Sequence, residues 1–94
     1  MTDEIGPGTL KLIVASSPAV AAVAESAVRA RVRGADVRRL GDALLAYTDA
    51  RPEDLRDAIR DGLGEGESVL VVEFERWSSS GGAVDTEWLL RRGH

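Results

Sequence analysis

The chain contains no cysteine, one histidine, one lysine and only 4% aromatic residues. Without cysteine there is no disulfide, no thiol nucleophile and no thiolate-held zinc. The histidine, His94, is the last residue, so no histidine is placed inside the chain to serve a serine as base. No apolar run approaches the roughly 20 residues that span a bilayer. The first residues, Met1-Thr2-Asp3-Glu4, are acidic, unlike the positively charged start of a secretory signal. A cytoplasmic location and no membrane partner are expected. There is no internal repeat, and Ser78-Ser79-Ser80-Gly81-Gly82 is the one biased stretch.

What is present is the composition of an ordinary globular protein: 94 residues, 44% hydrophobic and 30% charged. That is enough for one domain and too short for two. We expect a tail over residues 1–8, ending in Gly6-Pro7-Gly8, and a single domain over 9–94. A domain of this size buries only about two thirds of its unfolded surface, so its stability margin is thin and a second subunit is an attractive addition. The net charge is −4 and the pI near 4.9. An acidic average disfavours broad nucleic-acid binding but leaves room for a local basic patch.

Apolar periodicity divides the chain into six main elements. Leu10, Leu12 and Val14 alternate with Lys11, Ile13 and Ala15, a strand with apolar residues on both faces and hence a central one. Ser17-Pro18 predicts a helix start. Val20, Val23, Ala24, Ala27 and Val28 form its stripe, Val32 extends it, and Gly34 is the expected stop. Residues 36–41 and 43–49 predict a hairpin turning at Gly41-Asp42. Pro52, Glu53 and Asp54 open a second helix faced by Leu55, Ala58 and Ile59, with Gly62, Gly64 and Gly66 as its end. Ser68 to Trp77 reads as a strand with Leu70, Val72 and Phe74 on one side and Val69, Val71, Glu73 and Glu75 on the other. A short helix is expected within Asp85–Arg92. The order predicts an α+β fold: a ferredoxin-like βαββαβ sandwich, two helices on one face of an antiparallel sheet, with a short C-terminal extension after the fourth strand.

Few residues suggest chemistry. Ser16-Ser17-Pro18 stands where a nucleophile or phosphate turn could sit, but serine before proline is foremost a helix cap. The glycines from Gly62 to Gly66 follow a helix, whereas a phosphate cradle precedes one. Asp36, Asp42, Asp49, Glu73 and Glu75 show no metal-ligand spacing; solvated strand ends and an outward sheet face are the expected reading. No catalytic residue, metal ligand or cofactor is assigned. Arg29, Arg31, Arg33, Arg38 and Arg39 are the one basic cluster, and Arg33, Arg38 and Arg39 are its candidates for contact with nucleic acid or another anion. No aromatic residue is interleaved for base stacking. Trp77 and Trp88 either close the core or, with Leu89, anchor a subunit contact.

The second half of the chain resembles a known group. Arg39-Leu40-Gly41-Asp42, Tyr47-Thr48-Asp49, the helix from Pro52 to Ile59, the strand Val69 to Glu73, Trp77-Ser78 and Trp88-Leu89-Leu90 are similar to the SinR-like small bacterial proteins. These are similar in turn to the CRISPR-associated ferredoxin-like adaptation subunit and to the virulence-associated toxin nucleases. The likeness covers about residues 35–92, and the first helix matches in position alone. It implies a ferredoxin-like homodimer with the segment after the fourth strand at the contact. Active nucleases of the group hold a metal with an aspartate at the end of the first strand; here that position falls at Ser16 or Ser17, and a neutral hydroxyl is a poor ligand for a hard cation. The expectation is therefore a non-catalytic dimeric interaction module, with a protein partner, in a bacterial defence or toxin–antitoxin type system. The alternatives are a metal-dependent endonuclease using another carboxylate set, or a nucleic-acid-binding protein that does not cleave.

Overall fold

The first strand sets the geometry because apolar side chains leave it on both sides. The computed structural model describes residues 8–78, 80–81 and 86–92. In it β1 (Thr9–Ala15) is the inner strand between β3 (Ala43–Thr48) and β4 (Val69–Phe74), and β2 (Val37–Leu40) pairs with the outer side of β3. The four-stranded sheet has the order β2-β3-β1-β4, and every neighbouring pair is antiparallel. Gly41, at φ 58, turns the β2–β3 hairpin in a conformation that costs a residue with a Cβ more than glycine.

Helices α1 (Pro18–Arg29) and α2 (Pro52–Arg60) follow β1 and β3 and cover one face of the sheet. Ser17 caps α1, its Oγ accepting from the Val20 amide at 3.2 Å, and Pro18 occupies the first turn without losing a bond. The buried stripe of α1 is Val20, Ala21, Ala24 and Val28. Small side chains let the helix lie close on Ile13, Leu44 and Ala46, and Leu55 and Ile59 of α2 complete this core. At the far end of α2, Gly62 approaches α1 so closely that a Cβ would lie 2.8 Å from Val23 Cγ1.

Helix α1 ends before Gly34. The amides of Arg31 and Val32 both donate to the Val28 carbonyl, and Gly34–Asp36 form a separate 3-10 turn. Val32 still reaches the core, from the connection and not from the helix. The strand expected over Ser68–Trp77 is confined to β4, and Glu73 is exposed and opposite Leu70, Val72 and Phe74 as expected. Val69 and Val71 pack toward the helices, and Glu73, in register with Lys11, shares their face.

The opposite face carries a second, smaller core. Helix α3 (Thr86–Arg91) lays Trp88 and Leu89 on Leu10 and Leu45, with Leu12, Tyr47, Phe74 and Trp77 around them. Residues 1–7, most of the expected tail, lie outside the described residues, as does His94. Gly8 lies against Tyr47, where a Cβ would fall 2.8 Å from the ring. Among the described residues no helix is long and apolar enough to cross a membrane.

The two faces differ in what truncation should cost. Ile13→Ala empties space in the larger core and is expected to lose about 2–5 kcal/mol in urea unfolding. Leu90→Ala, at a side chain 63% exposed, should change stability by no more than about 0.5 kcal/mol. Equal losses would contradict this placement of the core.

Candidate functional site

The second sheet face is apolar apart from Arg38 of β2, and among the described residues it is only partly covered. Period-two alternation brings Leu10, Leu12 and Val14 of β1 to it, together with Leu45 and Tyr47 of β3 and Leu70, Val72 and Phe74 of β4. Helix α3 covers the end at Leu10 and Leu45. At the other end Val14 is 40% and Leu70 58% exposed. Between the two runs a groove of about 360 Å³. Leu12, Leu45, Val72 and Phe74 line it from the sheet, joined by Leu40 from β2 and Leu89 from α3. The segment after β4 contributes Arg76, Trp77 and Ser78.

The six-residue α3 is shorter than any helix stable alone, and its side chains hold it in place. Trp88 Nε1 donates to the Ala35 carbonyl at 2.7 Å. Arg92, just past the helix, donates to the same carbonyl and to Asp36 Oδ1 at 2.7 Å. Its guanidinium also lies 4.3 Å from the centroid of the Trp88 ring, within the range of a cation–π attraction. Trp88 and Leu89, expected either in the core or at a subunit contact, are 3% and 2% exposed within the single chain. In this arrangement they have little surface left for a partner. Trp77 differs: it is half-buried at the groove, and its buried indole N–H has no acceptor among the described residues.

The arginines of the basic cluster separate. Arg38 and Arg39 are consecutive in β2, so the strand sends them to opposite faces. Arg38 lies 5.6 Å from the Trp88 ring on the α3 side. Arg39 is on the helix side, where its Nη1 donates to Glu25 Oε1 at 2.7 Å. Arg29 Nε donates to the other Glu25 oxygen at 3.0 Å. Arg33 is exposed in the connection before β2. These side chains do not form one basic surface.

The acidic candidates are also dispersed. Asp36 belongs to the Arg92 contact and Glu73 to Lys11, while Asp42, Asp49 and Glu75 are exposed. Among the described residues no three histidine, aspartate or glutamate side chains converge to hold a metal ion. Ser17 is engaged as the α1 cap, and Ser16 Oγ accepts from the Ser68 amide at 3.0 Å, tying the end of β1 to the start of β4.

Sequence reasoning passed over Lys11. It is 1% exposed, and its Nζ donates to Thr9 Oγ1 and to the Thr48 carbonyl, the latter at 2.8 Å. Glu73 Oε1 lies 3.4 Å away. The ammonium is therefore partnered, as a buried charge must be. The available signal was one cation inside an apolar strand, which demands acceptors from the neighbouring strands.

Comparison of the chain with protein-family models, with curated proteins and with solved structures gave no match.

Two outcomes follow from these contacts. Arg92→Ala should cost about 1.5–3 kcal/mol, the range of a charge-assisted hydrogen bond, and shift tryptophan emission to the red as α3 loosens. Unchanged emission and unfolding midpoint would contradict the latch. The second concerns Glu25, whose carboxyl is held below its ordinary value of 4.5 by the hydrogen bond from Arg29 and then that from Arg39. A lowered folded value contributes stability that is present above the ordinary carboxylate range and lost as pH falls through the folded value. Glu25→Gln should therefore cost about 0.5 kcal/mol at neutral pH, the scale of a solvent-screened pair. The difference from wild type should vanish in acid. A difference that persists in acid would contradict this origin.

Proposed function

We propose that the chain is a non-catalytic, dimeric interaction module built on a ferredoxin-like βαββαβ sandwich. The order β2-β3-β1-β4, with helices after β1 and β3, supports that fold. The SinR-like resemblance supports a cytoplasmic role, with a protein partner, in a bacterial defence or toxin–antitoxin type system.

The observation that carries the dimer is the contrast between the two sheet edges. Strand β2 is four residues long and carries Arg38 and Arg39, both features that discourage pairing with another chain. Strand β4 is six residues long, has no proline and bears one charge, Glu73. Within the sheet it is paired on one side only, and its Leu70 is 58% exposed. An edge of this kind is a template for a further strand. In a two-fold dimer the further strand is β4 of a second copy, running antiparallel, with each Leu70 gaining cross-strand neighbours. The added buried area suits a domain with a thin margin of its own.

Light scattering at tens of micromolar should give twice the 10.0 kDa chain mass. Leu70→Glu, which puts a carboxylate on the joined edge, should return the mass to that of one chain with an unchanged far-ultraviolet circular dichroism spectrum. A wild-type monomer at that concentration would overturn the dimer. Purification from native lysate should yield protein without nucleic acid; stoichiometric nucleic acid would favour the binding or nuclease readings instead.

A further inference from the structure

The groove on the second sheet face shares Val72 and Phe74 with the edge strand β4 but opens in a different direction from its pairing edge. Strand addition extends a sheet in its own plane, whereas the groove opens above that plane over Leu12, Val72 and Phe74. Pairing at the edge engages backbone groups in that plane and does not by itself fill the groove. Its volume of about 360 Å³ falls within the range, roughly 300–1,000 Å³, of sites that enclose small ligands. The floor is apolar, and the polar groups of its lining are distributed in one sense. Among the described residues Arg76 is the only charged one lining it, and a guanidinium donates hydrogen bonds without accepting any. The Trp77 indole is also donor only, and its buried N–H has no acceptor among the described residues. Ser78 supplies a hydroxyl, and among the described residues no carboxylate lines the groove.

An apolar trough bordered by one guanidinium is complementary to a ligand with an apolar body and an anionic end. We propose that the groove binds a single-chain amphiphile with a carboxylate head, a medium-chain fatty acid being the simplest case. The tail lies on Leu12, Val72 and Phe74, which removes apolar surface of both partners from water. The carboxylate meets the Arg76 guanidinium, whose forked donors match its two oxygens.

The test is a calorimetric titration of the full-length chain with decanoate below its micelle concentration, set beside decyltrimethylammonium, which has the same tail and the opposite charge. Saturable binding of one decanoate per chain is expected, at least about tenfold tighter than the cationic amphiphile. Arg76→Gln should remove most of that preference while leaving the circular dichroism spectrum and the oligomeric mass unchanged. Val72→Trp, which fills the groove from its floor, should abolish binding; a variant that fails to fold is replaced by Leu12→Phe. Absence of saturable heat, equal affinity for the two head groups, or a preference indifferent to Arg76→Gln would each overturn the proposal. Leu70→Glu separates this inference from the dimer. Binding that persists in that variant supports the groove whatever its mass. Binding that appears only there would mean that a second copy covers the groove, which overturns the assignment for the native protein.

Discussion

A strand held between two neighbours spends its hydrogen bonds in the plane of the sheet and presents one face above and one below it, and both faces of β1 are mostly apolar. Leu10 and Ile13 are on opposite sides of the sheet, and each is completely buried. The fold must therefore cover the sheet twice. One cover is generous: α1 and α2, joined by Val32, pack on Ile13, Leu44 and Ala46. Among the described residues the other is α3, six residues long, with Trp77 beside it. It seals Leu10 and Leu45, leaves a groove over Leu12, Val72 and Phe74, and leaves Val14 and Leu70 partly in water. Burial of apolar area drives packing, and the uneven cover leaves Val14 and Leu70 as the partly exposed apolar side chains of the sheet.

The incomplete cover also explains how α3 is held. A helix so short gains little from its own hydrogen bonds. Its position depends on anchoring to the loop before β2, where the Ala35 carbonyl accepts from both Trp88 and Arg92 and Asp36 takes the arginine's charge. Lys11 performs the corresponding task on the helix side. It draws β1, β3 and β4 together through Thr9, Thr48 and Glu73 at the end of the sheet where the helices stop supplying apolar partners. In both places a charge leaves water only where several acceptors converge, as its desolvation requires.

The charges nearest in sequence were the least informative about the surface. Arg38 and Arg39 are neighbours in the chain and go to opposite faces because a strand alternates. Glu25, one turn from Arg29 on α1, then takes two guanidiniums at once. Consecutive arginines on a strand therefore predict a split set of contacts.

The local rules of the chain determined a good deal unaided. Serine before proline marks the start of α1, Gly41 turns the hairpin, and the two-sided apolar pattern of residues 10–15 places β1 inside the sheet. With the order of strands and helices these gave the α+β class, because capping, turn and periodicity signals act over a few residues. Only the tertiary structure decided which side of the sheet each pattern faced. When both faces of a strand are apolar, the period of two is symmetric and cannot say which face the helices take. Hence Val69 and Val71 turn to the helices, while Leu70, Val72 and Phe74 face the thinner cover. The same ambiguity hid the destinations of Trp88 and Leu89 and the acceptors around Lys11. These depend on contacts between residues dozens of positions apart, and the packing of the whole sheet, not any local preference, chooses among them.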